Sequence, residues 1–312
     1  MSHPTPLARP PPAAPPGNPD ILRELDWGPW LPLEGCWLGQ TTPDRPGLYR
    51  IRRAGRVDLD YVGQTGTGRM SLRLRLGMLR GVYAAQMPYR DPHTAAPALW
   101  ALRHAGGAPF EVSVTRVEGS TPWRKGLEAL AIALHRQEHR RSPTVEFGRV
   151  PLGYRASTGN NTKLVIAGKR SRGGPSKDPD PGHIPGVPPL GPLGGDPQGP
   201  RWVGHAWSPW RPIADAARAT EDAAGLYRIR GRAGDGLLYI GEGRIGARLR
   251  AHAAKIRQPA HRQGGVFVAA PALEASWVVG TWATHQRLEL EVDLIAAHLQ
   301  ETGRVPPAQF LG

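Results

Sequence analysis

The sequence predicts an α+β fold made twice: two small three-stranded antiparallel sheets, each flanked by helices, joined by a Pro/Gly-rich linker. Three observations predict it. Gly47-Leu48-Tyr49-Arg50-Ile51-Arg52 recurs letter for letter as Gly225-Leu226-Tyr227-Arg228-Ile229-Arg230. A second aromatic–glycine step follows each, Tyr61-Val62-Gly63 and Tyr239-Ile240-Gly241, with the two tyrosines twelve residues apart both times. Each copy then ends in a segment whose apolar residues repeat at helical spacing, Leu127, Leu130, Ala131 and Leu134, then Leu288, Val292, Ile295 and Leu299. A fixed interval between matching words marks one duplicated module.

The elements follow in order. Residues 1–20 are dominated by Pro, Ala and small polar residues and are expected to form a disordered tail. Residues 21–155 form the first module. It opens on Trp27 and Trp30, whose spacing returns in Trp207 and Trp210. Packing of an N-terminal cap is their expected role, with base stacking as the alternative. In 47–53 and 225–230 the apolar and basic residues alternate, so Leu48 and Arg50 share one strand face and Tyr49 and Ile51 the other. Residues 58–63 and 236–241 are the partner strands across hairpin turns at 53–56 and 231–236. Residues 71–80 and 245–256 read as basic helices, and 110–117 and 276–282 as third strands. Residues 156–200 are the Pro/Gly-rich linker, and its stretch from about 171 to 200 should carry no packed element and act as a semi-extended tether. Residues 201–312 form the second module.

Charge and composition narrow the function. The net charge is +14 over 312 residues, which favours a polyanion such as nucleic acid. Only five of the forty basic residues are Lys, and a GC-rich genome explains part of that bias but not the excess over acids. Cys36 is the single cysteine, which excludes an internal disulfide and a Cys-based zinc site and fits a reducing cytoplasm. No apolar run reaches the roughly 20 residues of a membrane span, and no membrane partner is expected. No phosphate loop ending in Lys-Ser or Lys-Thr and no Gly-x-Ser-x-Gly elbow occurs. The second half lacks the Asn of a His…Asn…His nuclease.

The ordered set, Gly-Leu-Tyr, Tyr-x-Gly, a basic helix and an acid-bearing helix, resembles the GIY-YIG nuclease family. Arg248-Leu249-Arg250-Ala251-His252 is similar to its Arg-Leu-x-x-His helix, and Glu291-Val292-Asp293-Leu294-Ile295 to its Glu-x-x-Leu-Ile helix. The resemblance implies hydrolysis of DNA phosphodiester bonds with one divalent cation, Mg²⁺ or Mn²⁺, held by Glu128 and by Glu291. It implies Tyr49 and Tyr227 as general bases, assisted by Tyr61 and Tyr239, with a neighbouring Arg lowering the phenol pKa. Arg73 and Arg248 would stabilise phosphate charge. Arg75 and Arg250 are the alternative contacts and candidates for binding nucleic acid. His252 is a proton carrier or a supporting residue, or simply an exposed histidine. A closing Asn of the family corresponds to Glu146 and to Gln309, which is assigned to the catalytic set.

Three departures set the modules apart. The second Tyr-to-Arg interval is twelve residues with Arg73 but nine with Arg248, and the Gly-rich 65–69 segment is the insertion. Gly77 stands opposite His252. Glu146 keeps neither the amide of Asn nor its neutrality. The expected protein is a cytoplasmic endonuclease for double-stranded DNA, an intramolecular pseudo-dimer used first in restriction or defence. The alternative is a non-catalytic or half-catalytic DNA-binding protein, and RNA is a third possible substrate.

Overall fold

The computed structural model describes residues 21–311 except Leu22, Glu24, Thr67, Pro179, 233–235, Pro259 and Pro271. The tail expected at 1–20 lies outside the described residues, as does part of the 231–236 turn. The first module holds β1 (Leu31–Pro32), β2 (Gly47–Arg53), β3 (Tyr61–Gln64), α1 (Leu72–Gly77), α2 (Ala96–Gly106), β4 (Phe110–Arg116) and α3 (Thr121–His139). Next come β5 (Tyr154–Arg155), α4 (Thr162–Ile166) and β6 (Gly174–Pro175). The second module holds β7 (Arg201–Trp202), β8 (His205–Ala206), β9 (Arg211–Pro212), α5 (Ile213–Ala219), β10 (Ala224–Gly231) and β11 (Leu237–Arg244). It continues with α6 (Ile245–Lys255), α7 (Arg262–Ala269), β12 (Leu273–Val279) and α8 (Thr284–Thr302).

The fold is α+β with antiparallel sheets, and the two main sheets share one topology. Their orders are β1-β4-β2-β3 and β9-β12-β10-β11. Each has four strands, not three, because a two-residue edge strand joins the third (Leu31 opposite Val112, Arg211 opposite Ala275). A pair this short, with Pro in both, leaves no alternation to read. The third strand of the second module begins at Leu273, three residues before the expected start. The first basic helix ends at Gly77 and tightens into a 3₁₀ turn over Met78–Tyr83.

The alternation in β2 sorts its residues as expected. Tyr49 and Ile51 join a core with Leu72, Leu76, Leu79 and Leu99, while Leu48 packs against Leu127 and Leu130 of α3. The second module repeats this, with Tyr227 and Ile229 against Ile245 and Leu249.

The tether expectation is corrected: residues 156–200 fold onto both modules. Tyr154–Arg155 pairs with Gly174–Pro175. Val187 N–H donates to Glu289 at 2.7 Å, and the carbonyls of Pro189 and Gly191 accept from Arg140 and Gln137 at 2.9 and 2.8 Å. Proline supplies carbonyls without N–H groups that need partners, so a Pro-rich strap can serve as an acceptor strip.

Helices α3 and α8 pack together and share a core: Leu127, Leu130 and Ala133 meet Ala296 and Leu299. They run antiparallel, since a Cβ added at Gly126 would lie 3.5 Å from Leu299 while Arg136 reaches Glu289 at 3.8 Å and Asp293 at 2.9 Å.

Candidate functional site

The site is built on the β2–β3 and β10–β11 hairpins. Register sets Tyr49 opposite Gly63 and Tyr227 opposite Gly241. Each glycine lets the first tyrosine lie across its partner strand. A methyl group at Gly63 would overlap the Tyr49 hydroxyl, and one at Gly241 would come within 2.5 Å of the Tyr227 hydroxyl. The Tyr-x-Gly word is therefore one steric unit. The two rings of each module lie 6.1 and 6.0 Å apart, centroid to centroid.

In the second module Arg248 Nε donates to the Tyr227 hydroxyl at 3.3 Å, and His252 Nε2 lies 2.9 Å from it. Both expected residues meet the phenol. Arg250 does not; it is exposed and pairs with Glu221 at 3.5 Å.

In the first module the expectation for Arg73 is corrected. Its guanidinium donates to the Thr42 carbonyl at 3.0 and 3.2 Å. Arg75 lies beside the Tyr49 hydroxyl instead and favours its anion. Helix position explains the exchange: Arg75 and Arg248 are each the fourth residue of their helix. The interval from Tyr61 to Arg75 is fourteen, against nine in the second module, and the difference equals the five inserted residues 65–69.

That register puts Leu79, not Gly77, in the place of His252, where it is fully buried. The imidazole comes from elsewhere. His93, just before α2, sets Nε2 2.6 Å from the Tyr49 hydroxyl. Arg75 also donates to the Pro92 carbonyl at 3.1 Å, so the arginine on the phenol holds the loop that carries His93. Sequence comparison of the modules had no means of finding His93, because it has no counterpart at that position.

Gln309 and Glu146 are positioning residues. Gln309 Oε1 accepts the Ile240 N–H at 3.0 Å, and Glu146 Oε1 accepts the Val62 N–H at 2.6 Å. Each thus pins the middle residue of a Tyr-x-Gly step. Phe147 and Phe310, which follow them, both have positive φ, 57° and 62°. The same strained turn is kept twice. Burial pushes the Glu146 carboxyl well above the carboxylate range, and Glu128 adds to this. Glu146 and Gln309 offer the same kind of oxygen acceptor to equivalent backbone donors.

Glu128 and Glu291 are half-buried on α3 and α8 and line up with the phenols electrostatically. Burial raises Glu128 to about 7, opposed by Lys125 and Arg75. Burial and the neighbouring Glu242 together raise Glu291 to about 8, opposed by Arg248. No group of three or more His, Cys, Asp or Glu side chains suited to a metal occurs among the described residues. A hard cation that keeps waters and substrate oxygens needs no such cage. Raised carboxylates, with a like charge beside one, are the groups such a cation would stabilise, so the donors fit it.

The phenols depart from expectation. Burial outweighs the arginines, and Tyr49, Tyr61, Tyr227 and Tyr239 all titrate above an ordinary tyrosine. Both imidazoles are neutral: burial takes His93 well below its usual value and His252 down to about 3. His93 Nδ1 accepts from Ala95 N–H at 3.3 Å, which leaves the proton on Nε2 to be donated to Tyr49. Arg75 Nε is buried without a partner, a donor aimed at no protein acceptor.

Comparison with family models, with curated proteins and with solved structures finds no match to this chain, so its own geometry carries the functional reading.

Proposed function

We propose that the chain is a metal-dependent endonuclease of duplex DNA, built from two tandem GIY-YIG-like modules. One observation carries this reading: two phenols, a guanidinium, a neutral imidazole and a buried carboxylate converge in each half, although one imidazole comes from an unrelated place in the chain. Shared ancestry alone would preserve equivalent positions; a replacement at a non-equivalent position points to a chemical need.

Each residue type has a task. Arg75 and Arg248 meet the negative phosphate and the charge that develops on it. Tyr49 accepts from His93, so its own proton stays available to an incoming group and would orient the attacking water or a phosphate oxygen. With phenols this basic, proton removal from water is favoured only as pH rises. Glu128 and Glu291 would hold the divalent cation, which supplies charge to the phosphate and the leaving oxygen. Glu146 and Gln309 keep the hairpins rigid.

An intramolecular pseudo-dimer is supported by the helix contact. Helices α3 and α8 are both 19 residues long. Superposed end to end, Gly126 matches Glu289 and Arg136 matches Leu299. The contact Gly126–Leu299 and its exchanged form, Glu289–Arg136, both occur, as a twofold requires. Two such sites can each take one strand of a duplex. No helix among the described residues is long and apolar enough to cross a membrane, and defence against foreign DNA is the role proposed.

The test is plasmid cleavage with Mg²⁺ or Mn²⁺. Wild type is expected to linearise plasmid, Glu128→Gln and Glu291→Gln to nick it, and the double variant to be inactive. Wild-type DNA binding without cleavage would leave a binding protein only.

A further inference from the structure

The modules differ most on the sheet face opposite the tyrosines. In the second, Arg228 is fully buried between Trp207 and Trp210, 4.3 and 4.7 Å from their ring centroids. Its N–H groups donate to the carbonyls of Pro197, Gln198 and Gly199 and to Ser276. In the first module Arg50 holds the same strand position, between Trp27 and Trp30 at 4.7 and 4.8 Å. It lacks that cover. Among the described residues no acceptor meets it, and its Nε is buried without a partner.

A cleft of about 320 Å³ opens beside Arg50, walled by Leu59 and Leu134 and closed by His135. His135 is only 5% exposed, and its Nε2 is likewise buried and unpartnered. Two residues with orphaned nitrogens, one on a strand and one on a helix, thus line one cavity. Buried polar groups in native proteins are almost always satisfied, so a missing partner is to be sought in a ligand. Its charge follows from the lining, which holds the guanidinium groups of Arg50 and Arg52 against one acid, Glu138; His135, which burial takes down to about 4, adds a neutral ring, and Arg52 also pairs with Glu111 at 3.0 Å. In the second module Asp196 adds negative charge near Arg228, against the like charge of Arg230; Arg50 feels the like charge of Arg52 without such an acid.

We propose that this cleft binds a nucleotide, with its phosphate oxygens on Arg50 and His135 and its base against Leu59 and Leu134. The guanidinium fork suits phosphate, and the volume is that of a small-ligand pocket. The nucleotide is either free or the 5′ end of a DNA strand.

Trp27 and Trp30 stack on Arg50, so tryptophan fluorescence of the full chain reports occupancy. Adenosine 5′-monophosphate, adenosine, inorganic phosphate and an oligodeoxynucleotide with and without 5′-phosphate are titrated in EDTA. No cleavage occurs there, so the outcome is separate from the nuclease reading. A saturable response to the monophosphate is expected, weakened about tenfold for adenosine and for Arg50→Gln. His135→Phe keeps the ring volume and weakens it as well, and serves alone if Arg50→Gln fails to fold. Preference for the 5′-phosphorylated oligonucleotide over the monophosphate assigns the site to DNA ends; the reverse assigns it to free nucleotide. No saturable response, equal loss in the surface control Arg218→Gln, whose exposed side chain pairs with Asp215, or binding only after deletion of residues 1–19 would overturn the proposal. The last result would make the chain's own N-terminal segment the occupant.

Discussion

His93 and His252 reach equivalent phenols from different elements, which makes the imidazole testable one module at a time. In a Glu291→Ala background, which under the proposed function leaves only the first module to cut, His93→Ala is expected to slow nicking about 100-fold. Leu79→Ala should lower stability without that selective loss, and single-turnover nicking rates distinguish the two. The carboxylates set the pH dependence. Burial raises Glu128 to about 7 and Glu291 to about 8, so a cation held there as proposed would have to displace their proton. Mn²⁺ affinity, measured calorimetrically, should therefore climb with pH through 7 in the first module and through 8 in the second. The same raised values act against the fold: a carboxylate that holds its proton more tightly when folded costs stability as pH rises above its unfolded value. Glu291→Gln should raise the melting temperature at pH 8.5 and change it little at pH 5. The tyrosines, Glu128, Glu291, Arg248 and His252 were legible in the sequence because their spacing is repeated or matches a known order. Arg75 was obscured by the 65–69 insertion, which shifts the apparent register. His93 was invisible, since nothing in the second module stands at its place.

At the scale of elements, each hairpin works because glycine is where a tyrosine ring must cross. Gly63 and Gly241 have no room for a Cβ, the obstacle being the tyrosine hydroxyl itself. Gly241→Ala is expected to cost about 1–3 kcal/mol by overpacking and to remove second-module activity, because the displaced group is the functional one. Denaturant unfolding and the nicking-to-linearisation ratio check both halves of this expectation. Strands and terminal helices were readable from alternation and helical spacing. Helices α2 and α7 were not. The α2 segment is buried on nearly every side, from Ala96 to Leu102, so no polar face marks its period. The strap at 156–200 was misread for a related reason: its composition says Pro and Gly, but its carbonyls have buried donors to meet.

On the scale of the whole molecule, the proposed pairing of the two sites depends on the seam between α3 and α8. Its centre is charged. Arg136 is fully buried, bonded twice to Asp293 at 2.9 and 3.0 Å and once to Ser142 at 2.6 Å. Glu289, also fully buried, faces Arg136 and Arg149 and takes the strap's Val187 N–H. Leucine fills the place of Arg136 on the duplicated helix, so an apolar seam is sterically available. A buried ion pair seldom adds net stability over such a seam, yet losing one partner costs about 3–5 kcal/mol. Asp293→Ala should therefore destabilise by that amount, while Arg136→Met with Asp293→Leu and Glu289→Gln, which leaves no unpaired buried charge and keeps an acceptor for Val187, recovers most of it. The informative readout is then cleavage, not melting. If the ion pair fixes the angle between the modules, the recovered triple variant cuts each strand at the wild-type rate but accumulates nicked plasmid, because the second cut no longer follows the first on the same duplex. Wild-type accumulation of linear product by that variant would mean that apolar packing between Leu127, Leu130 and Leu299 orients the sites unaided.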